Sequence, residues 1–145
     1  MNPSKKRRLL VLPEEWLKSA LSDLKLGKLG KENGDILEEQ ICFHTQQAAE
    51  KALKSILLFC KIDFPLTHDI EELLDILSEA GITLPQDIMD AGILTPYAVE
   101  TRYPGYWEEI TEENVDEAIK LAEKAVKWAE KYMAKTTEIT EEEIR

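Results

Sequence analysis

At 145 residues, 43% apolar and 32% charged, the chain has the size and make-up of one folded domain that needs no disulfide or metal to hold it. A formal net charge of −11 and a pI near 4.7 exclude a general binder of phosphate backbones or anionic membranes. Setting aside the Lys5-Lys6-Arg7-Arg8 cluster makes the remainder more acidic still, so any nucleic-acid contact would be local.

Residues 1–12 read as a basic arm, more often a solvated tail than a nucleic-acid contact. Its apolar run, Leu9 to Leu12, is shorter than the ~7 residues of a secretory h-region. No stretch approaches the ~18 apolar residues of a membrane span, and a cytoplasmic protein with no membrane role is expected. Pro13 suits the first turn of a helix, where Glu14 and Glu15 complement the positive end of the dipole. Trp16, Leu17, Ala20, Leu21 and Leu24 then recur at helical spacing. This first helix is expected to fade across Gly27, Gly30 and Gly34, where KLGKENGD offers turn chemistry.

The chain is organised around the next helix, from about Asp35 to about Lys61. Nothing in it breaks a helix, because it lacks proline and internal glycine between Ile36 and Cys60. Ile41, Cys42, Ala48, Ala49, Ala52, Leu53, Ile56, Leu57, Phe59 and Cys60 fall on an apolar arc of roughly 180°, wider than the ~100° stripe of a surface helix. Such a helix belongs at the centre of a bundle. Its other side, Gln40, His44, Gln47, Lys51 and Lys54, predicts a narrow polar stripe that meets solvent or a ligand. Cys42 and Cys60 lie about 27 Å apart at ~1.5 Å per residue, beyond disulfide reach, and read as small core residues of a reducing compartment.

Phe64-Pro65 stops the chain and Thr67 is the expected cap of a third helix, with Ile70, Leu73, Leu74 and Leu77 as its apolar stripe and Gly81 as its stop. Pro85 opens a fourth helix through Ile88, Met89 and Ile93. Thr95-Pro96 either kinks it or starts a new turn, and Pro104-Gly105 ends that segment. Thr111 begins the last helix, whose apolar face is Val115, Ala118, Ile119, Ala122, Ala125, Val126, Ala129 and Met133. Asp116–Lys120 and Glu123–Lys127 are its predicted i,i+4 pairs. From Thr136 the chain is polar and is expected to fray. No sustained two-residue alternation predicts a strand. The expected fold is therefore all-α, an up-and-down bundle of about five helices spanning residues 13–135, with a polar tail at 136–145.

No Gly-rich nucleotide loop, no His-Glu-x-x-His and no nucleophile motif is present, and no cofactor or metal is expected. The unusual segment is TPYAVETRYPGYW. It gathers Tyr97, Tyr103, Tyr106 and Trp107 around Arg102, the only lysine or arginine between Lys61 and Lys120. A lone arginine among aromatics either staples the bundle through a carboxylate such as Glu100 or offers its fork to a phosphate or a partner's carboxylate. Aromatics with arginine also match the make-up of protein–protein hot spots. His44 reads as a partly exposed, hydrogen-bonded residue and His68 as a capping or packing residue. Gln46 and Gln47 suit a helix interface better than a base edge.

The blocks CFHTQQAAEKALKSILLFCKIDFPLTHDIEELL, Cys42 to Leu74, and LTPYAVETRYPG, Leu94 to Gly105, resemble the HEPN domain, the higher-eukaryote and prokaryote nucleotide-binding domain, over about residues 13–133. The resemblance implies a bundle of four or five helices, commonly a homodimer. It also implies that small prokaryotic members pair with a minimal nucleotidyltransferase in a two-component, toxin–antitoxin-like system, and that members bind nucleotides or act as metal-independent ribonucleases. The ribonucleases carry an arginine followed after four to six residues by histidine. Here Arg102 matches, but Trp107, Glu108 and Glu109 occupy the histidine positions. General acid–base work on a ribose hydroxyl then lacks its usual agent, unless His44 or His68 substitutes. The leading expectation is a module that binds a nucleotidyltransferase or a nucleotide through Arg102, Tyr97, Tyr103, Tyr106 and Trp107, together with His44, Gln47 and Lys51. The alternatives are RNA cleavage by Arg102 and a structural adaptor that dimerises through the aromatic segment.

Overall fold

The structure, a computed structural model, describes residues 12–98 and 109–144, with residues 137–144 as backbone alone. Its elements are α1 (Pro13–Glu32), α2 (Glu38–Phe59), α3 (Ile70–Glu79), α4 (Gln86–Met89), a 3-10 segment (Asp90–Ala98) and α5 (Glu112–Ile144). Among the described residues there is no strand, and the all-α fold stands as expected. The basic arm, apart from Leu12, and the segment from Glu100 through Tyr106 and Trp107 lie outside the described residues.

Helix α2 is the hub. α1 packs along it most extensively, α5 next, and the 3-10 segment and α3 cover the remaining side. Every residue from Thr45 to Leu57 is buried except Gln47 and Lys51. The predicted apolar arc is core, with Phe59 and Cys60 half-buried at its end. Leu53, Ile56 and Leu57 meet Ile70, Leu73 and Leu77 of α3 in one cluster, all fully buried, each contributing roughly 1.5–3 kcal/mol by leaving water.

Two expectations about α1 and α2 need correction. α1 does not fade at Gly27 and Gly30; it runs through both to Glu32. The glycines serve packing instead of a turn. A Cβ on Gly27 would stand 3.0 Å from Thr45 Cγ2, and one on Gly30 would stand 2.9 Å from Ile41 Cγ1, so their absence lets α1 lie close against α2. Likewise, Lys54 does not belong to a solvent-facing stripe: its side chain is 7% exposed and ion-paired inside the bundle.

Four smaller differences concern ends and pairs. Asp69, not Thr67, caps α3, accepting from Glu71 N at 3.0 Å, while Thr67 Oγ1 accepts from Asp69 N one step earlier. The fourth α-helix stops at Met89, before Pro96, which sits inside the 3-10 segment. Thr95 caps no new turn there. Its Oγ1 accepts the backbone N–H of Ile70, and so ties that segment to the start of α3. On α5, Asp116 pairs with Lys31 of α1 instead of Lys120, whereas Glu123–Lys127 forms as predicted, with Lys28 also on Glu123. α5 continues past Thr136 to Ile144, where no glycine or proline interrupts it.

The other termini follow the expected chemistry. Pro13 stands at the start of α1 ahead of Glu14 and Glu15. Gly81 ends α3 with a φ of +90°, a conformation that L side chains adopt only under strain. Thr111 and Asn114 bond reciprocally, backbone to side chain, at the start of α5.

Candidate functional site

The polar residues of α2 are organised by two carboxylates, neither of which stands out in the sequence. Asp23, on the inner side of α1, accepts from Lys51 Nζ at 2.6 Å through Oδ2 and stands 3.0 Å from His44 Nδ1 through Oδ1. Lys51 also donates to Ser19 Oγ at 2.9 Å. His44, Lys51 and Asp23 therefore clamp α1 to α2. The His44 ring stays partly exposed, tilted against Phe43.

Glu50, in the middle of α2, is 3% exposed. Its Oε2 accepts from Lys54 Nζ at 2.9 Å, and its Oε1 accepts from Gln46 Nε2 at 3.0 Å and stands 2.9 Å from His68 Nδ1. Gln46 Nε2 also reaches the His68 carbonyl, and Gln47 Nε2 donates to Gln46 Oε1. Lys54 completes its surroundings over the Trp16 ring, 5.6 Å from its centroid, a favourable cation–π placement. No buried side-chain polar atom among the described residues lacks a partner, which is the condition for a buried ionic network to be tolerated.

The two hubs have one design: a carboxylate that takes a lysine on one oxygen and a histidine on the other. They differ in what they hold. Asp23 joins two helices, whereas Glu50 secures the 60–69 connection through the His68 side chain, and Gln46, itself bonded to Glu50, holds the His68 carbonyl. The His68 ring itself is 65% exposed. Its Nδ1 edge is fixed on Glu50, and the rest of the imidazole stands toward solvent. That is the arrangement in which a second group orients a histidine.

Of the predicted site residues, the structure brings His44 and Lys51 together through Asp23 and places Gln47 on the neighbouring Gln46. Gln46 and Gln47 bond within α2 and to the 60–69 connection instead of across a helix interface: Gln46 to Glu50 and the His68 carbonyl, Gln47 to Gln46. Tyr97 lies apart from them at the other side of α2, half-buried, beside a cavity of about 30 Å³ lined by Leu94, Asn114, Glu117, Ala118 and Leu121. Burial first, and then the charges of Cys42 and Glu117, push its phenol above the usual range. Arg102, Tyr103, Tyr106 and Trp107 lie outside the described residues. Among the described residues no group of three or more His, Cys, Asp or Glu side chains is placed to hold a metal, and no helix is long and apolar enough to cross a membrane.

The signals that would have found the hubs are weak ones. Glu50 and Lys54 are spaced i,i+4, but such a pair reads by default as a solvated face. Asp23 falls among Ala20, Leu24 and Gly27 on the inner face of α1, where a carboxylate requires a partner from another element.

Comparison with known proteins adds the following. The family model for the HEPN domain matches residues 13–132. Two solved structures are similar over most of the chain. One is ST0689, an archaeal HEPN homologue, 31% identical, covering 86% of this chain and 99% of that one with a TM-score of 0.69. The other is TT1696 from Thermus thermophilus, also 31% identical, covering 82% of this chain and 96% of that one with a TM-score of 0.70. Among curated proteins there is no match.

Proposed function

The chain belongs to the HEPN domain family, and from that premise we propose that it is a dimeric binding module, the HEPN half of a two-component, toxin–antitoxin-like system whose other half is a minimal nucleotidyltransferase. Its ligand in that role is the partner protein, a nucleotide, or both. Arg102 with Tyr97, Tyr103, Tyr106 and Trp107 supplies the recognising groups.

The observation that favours binding over RNA cleavage is that His44, on the polar side of α2, is committed to Asp23, with no histidine beyond Arg102 to take its place. His44 is held on Asp23 and His68 on Glu50, and each holds a neighbouring element onto α2. The exposed carboxylates at the start of α3, Asp69, Glu71 and Glu72, add a field that repels an RNA backbone near His68.

The test is purification of the tagged chain from its own cytosol, with copurifying proteins identified by mass. A stoichiometric nucleotidyltransferase, lost in Arg102→Glu with the helical signal intact, is the expected result. A chain that retains no partner and no nucleotide by titration would overturn the proposal.

One observation favours a second reading. The His68 imidazole is exposed and oriented by a buried carboxylate, as an acid–base group requires. In that reading Arg102 and His68 cleave RNA without metal. The reading predicts activity in chelator that disappears in both Arg102→Ala and His68→Ala, and inactivity on varied single-stranded RNAs would dispose of it.

A further inference from the structure

One long face of the bundle has no covering element. On α1, Ser22, Leu26 and Leu29 form a single stripe at helical spacing, with Asn33 just past its end; on α2, Gln40, His44 and Gln47 form another, with Ile36 and Leu37 at the turn between them. Leu26, Leu29, Ile36 and Leu37 are 49%, 50%, 41% and 60% exposed. With Gln40 and His44 they line an open groove of about 470 Å³. α1 packs chiefly on α2 and α5, and α3 and the 3-10 segment approach α2 from elsewhere, so nothing among the described residues covers this groove.

The face also differs from its surroundings in charge. The chain carries 29 acidic residues, and the exposed sides of α3 and α5 are rich in them: Glu71, Glu72, Asp75 and Glu79 on one, Glu112, Glu113, Asp116 and Glu117 on the other. The groove is lined by a single carboxylate, Asp35 at the turn, while Asp23 beneath it is answered by Lys51. Lys18 and Lys25 stand exposed on α1 with no intramolecular ion pair among the described residues. Exposed aliphatics in a setting depleted of charge are the mark of an interface core.

We propose that this α1–α2 face is where two copies of the chain meet about a two-fold axis; the proposal rests on the dimeric reading above and names its surface. The occupant follows from the charges. A copy with net charge −11 repels its twin wherever carboxylates oppose one another, and the groove, with Asp35 as its one lining carboxylate, keeps that opposition small. A two-fold contact also requires self-complementarity. Laid antiparallel, the hairpins bring the turn of one copy, with Asp35, against the Lys18–Lys25 row of the other. Aliphatic side chains then meet across the axis, and two helix pairs stack as a four-helix layer.

The test is light scattering on the whole chain with a dilution series. The expected mass is twice 16.6 kDa. Leu29→Asp and Leu37→Asp, both at exposed positions, should each raise the dissociation constant by more than ~30-fold, the scale of an interface hot spot, with helical circular dichroism unchanged. Leu66→Asp, at an 88% exposed position outside the groove, should remain dimeric. A wild-type chain that stays monomeric at every concentration would overturn the dimeric reading and this surface together. A wild-type dimer indifferent to both groove substitutions would overturn the surface alone.

Discussion

Lys54→Met is the substitution that tests the internal ionic hub most directly. It removes the cation from a carboxylate that is 3% exposed and leaves Glu50 with only the His68 ring and the Gln46 amide. Methionine fills much of the aliphatic volume against Trp16, so the loss is mainly electrostatic. Breaking one side of a buried pair costs about 3–5 kcal/mol, because the remaining charge must stay buried uncompensated or be neutralised. With an unfolding entropy of roughly 2.1 cal/mol/K per residue, a chain of this length loses about 10–16 °C in Tm. The double variant Glu50→Gln/Lys54→Met removes both charges and keeps an amide oxygen to accept from His68, and it should return to within about 1.5 kcal/mol of wild type. Urea unfolding of the wild type and the two variants supplies the comparison. If Lys54→Met costs less than about 1 kcal/mol, or the double variant is no better than the single, the hub does not have the energetic role assigned to it.

Further outcomes follow from particular positions. Gly27→Ala should destabilise by about 1 kcal/mol, overpacking against Thr45 outweighing the gain in helix propensity. Gly34→Ala, with nothing within 4 Å, should be neutral or slightly stabilising; urea midpoints distinguish the two. Burial, with Glu38 and Glu39 adding, pushes the Cys42 thiol up to about 12, so at pH 8 iodoacetamide should label the half-exposed Cys60 in the native chain and reach Cys42 only on unfolding. The sign for stability follows: the native state keeps the Cys42 proton that the unfolded chain releases, so this contribution is complete below pH 9 and is lost between pH 9 and about 12, at up to about 1.4 kcal/mol per pH unit. Thr95→Val removes the acceptor for the Ile70 N–H and should cost about 1 kcal/mol, seen as earlier hydrogen exchange at the start of α3.

The elements that sequence made legible are those decided within a few residues. Pro13, the glutamates after it, Gly81 and the apolar stripes of α2, α3 and α5 each act locally, and each is where periodicity put it. Gly27 and Gly30 mislead because glycine has one local meaning, a break, and another that exists only once Thr45 and Ile41 are known to stand opposite. The same holds for the 3-10 segment. Pro96 predicts an interruption, but the helix had already tightened at Asp90, and next to it Gly92 passes so close to Glu71 that a Cβ would fall 2.6 Å from its Cγ.

The candidate site shows the same limit more sharply. A polar residue on an amphipathic helix is assigned to solvent by default, and that rule serves for Gln40 and fails for Lys54 four residues beyond Glu50. What decides is whether a carboxylate is available to the amine inside the protein. For Lys51 that carboxylate is Asp23, contributed by another helix across 28 positions of sequence. Pairing of that kind cannot be inferred from period or propensity, since Lys51 looks solvated when read alone and the inner-face position of Asp23 does not say which element answers it. It follows that the side of α2 read as the ligand-facing stripe is largely occupied in holding the bundle together. Gln40 and His44, at the end nearest the α1–α2 turn, are the part of that stripe that still borders an open surface. A partner reaching α2 from outside therefore meets it at this end, beside Leu26, Leu29 and Leu37, and charge reversal at Lys51 should act through the stability of the α1–α2 clamp before it acts on any contact.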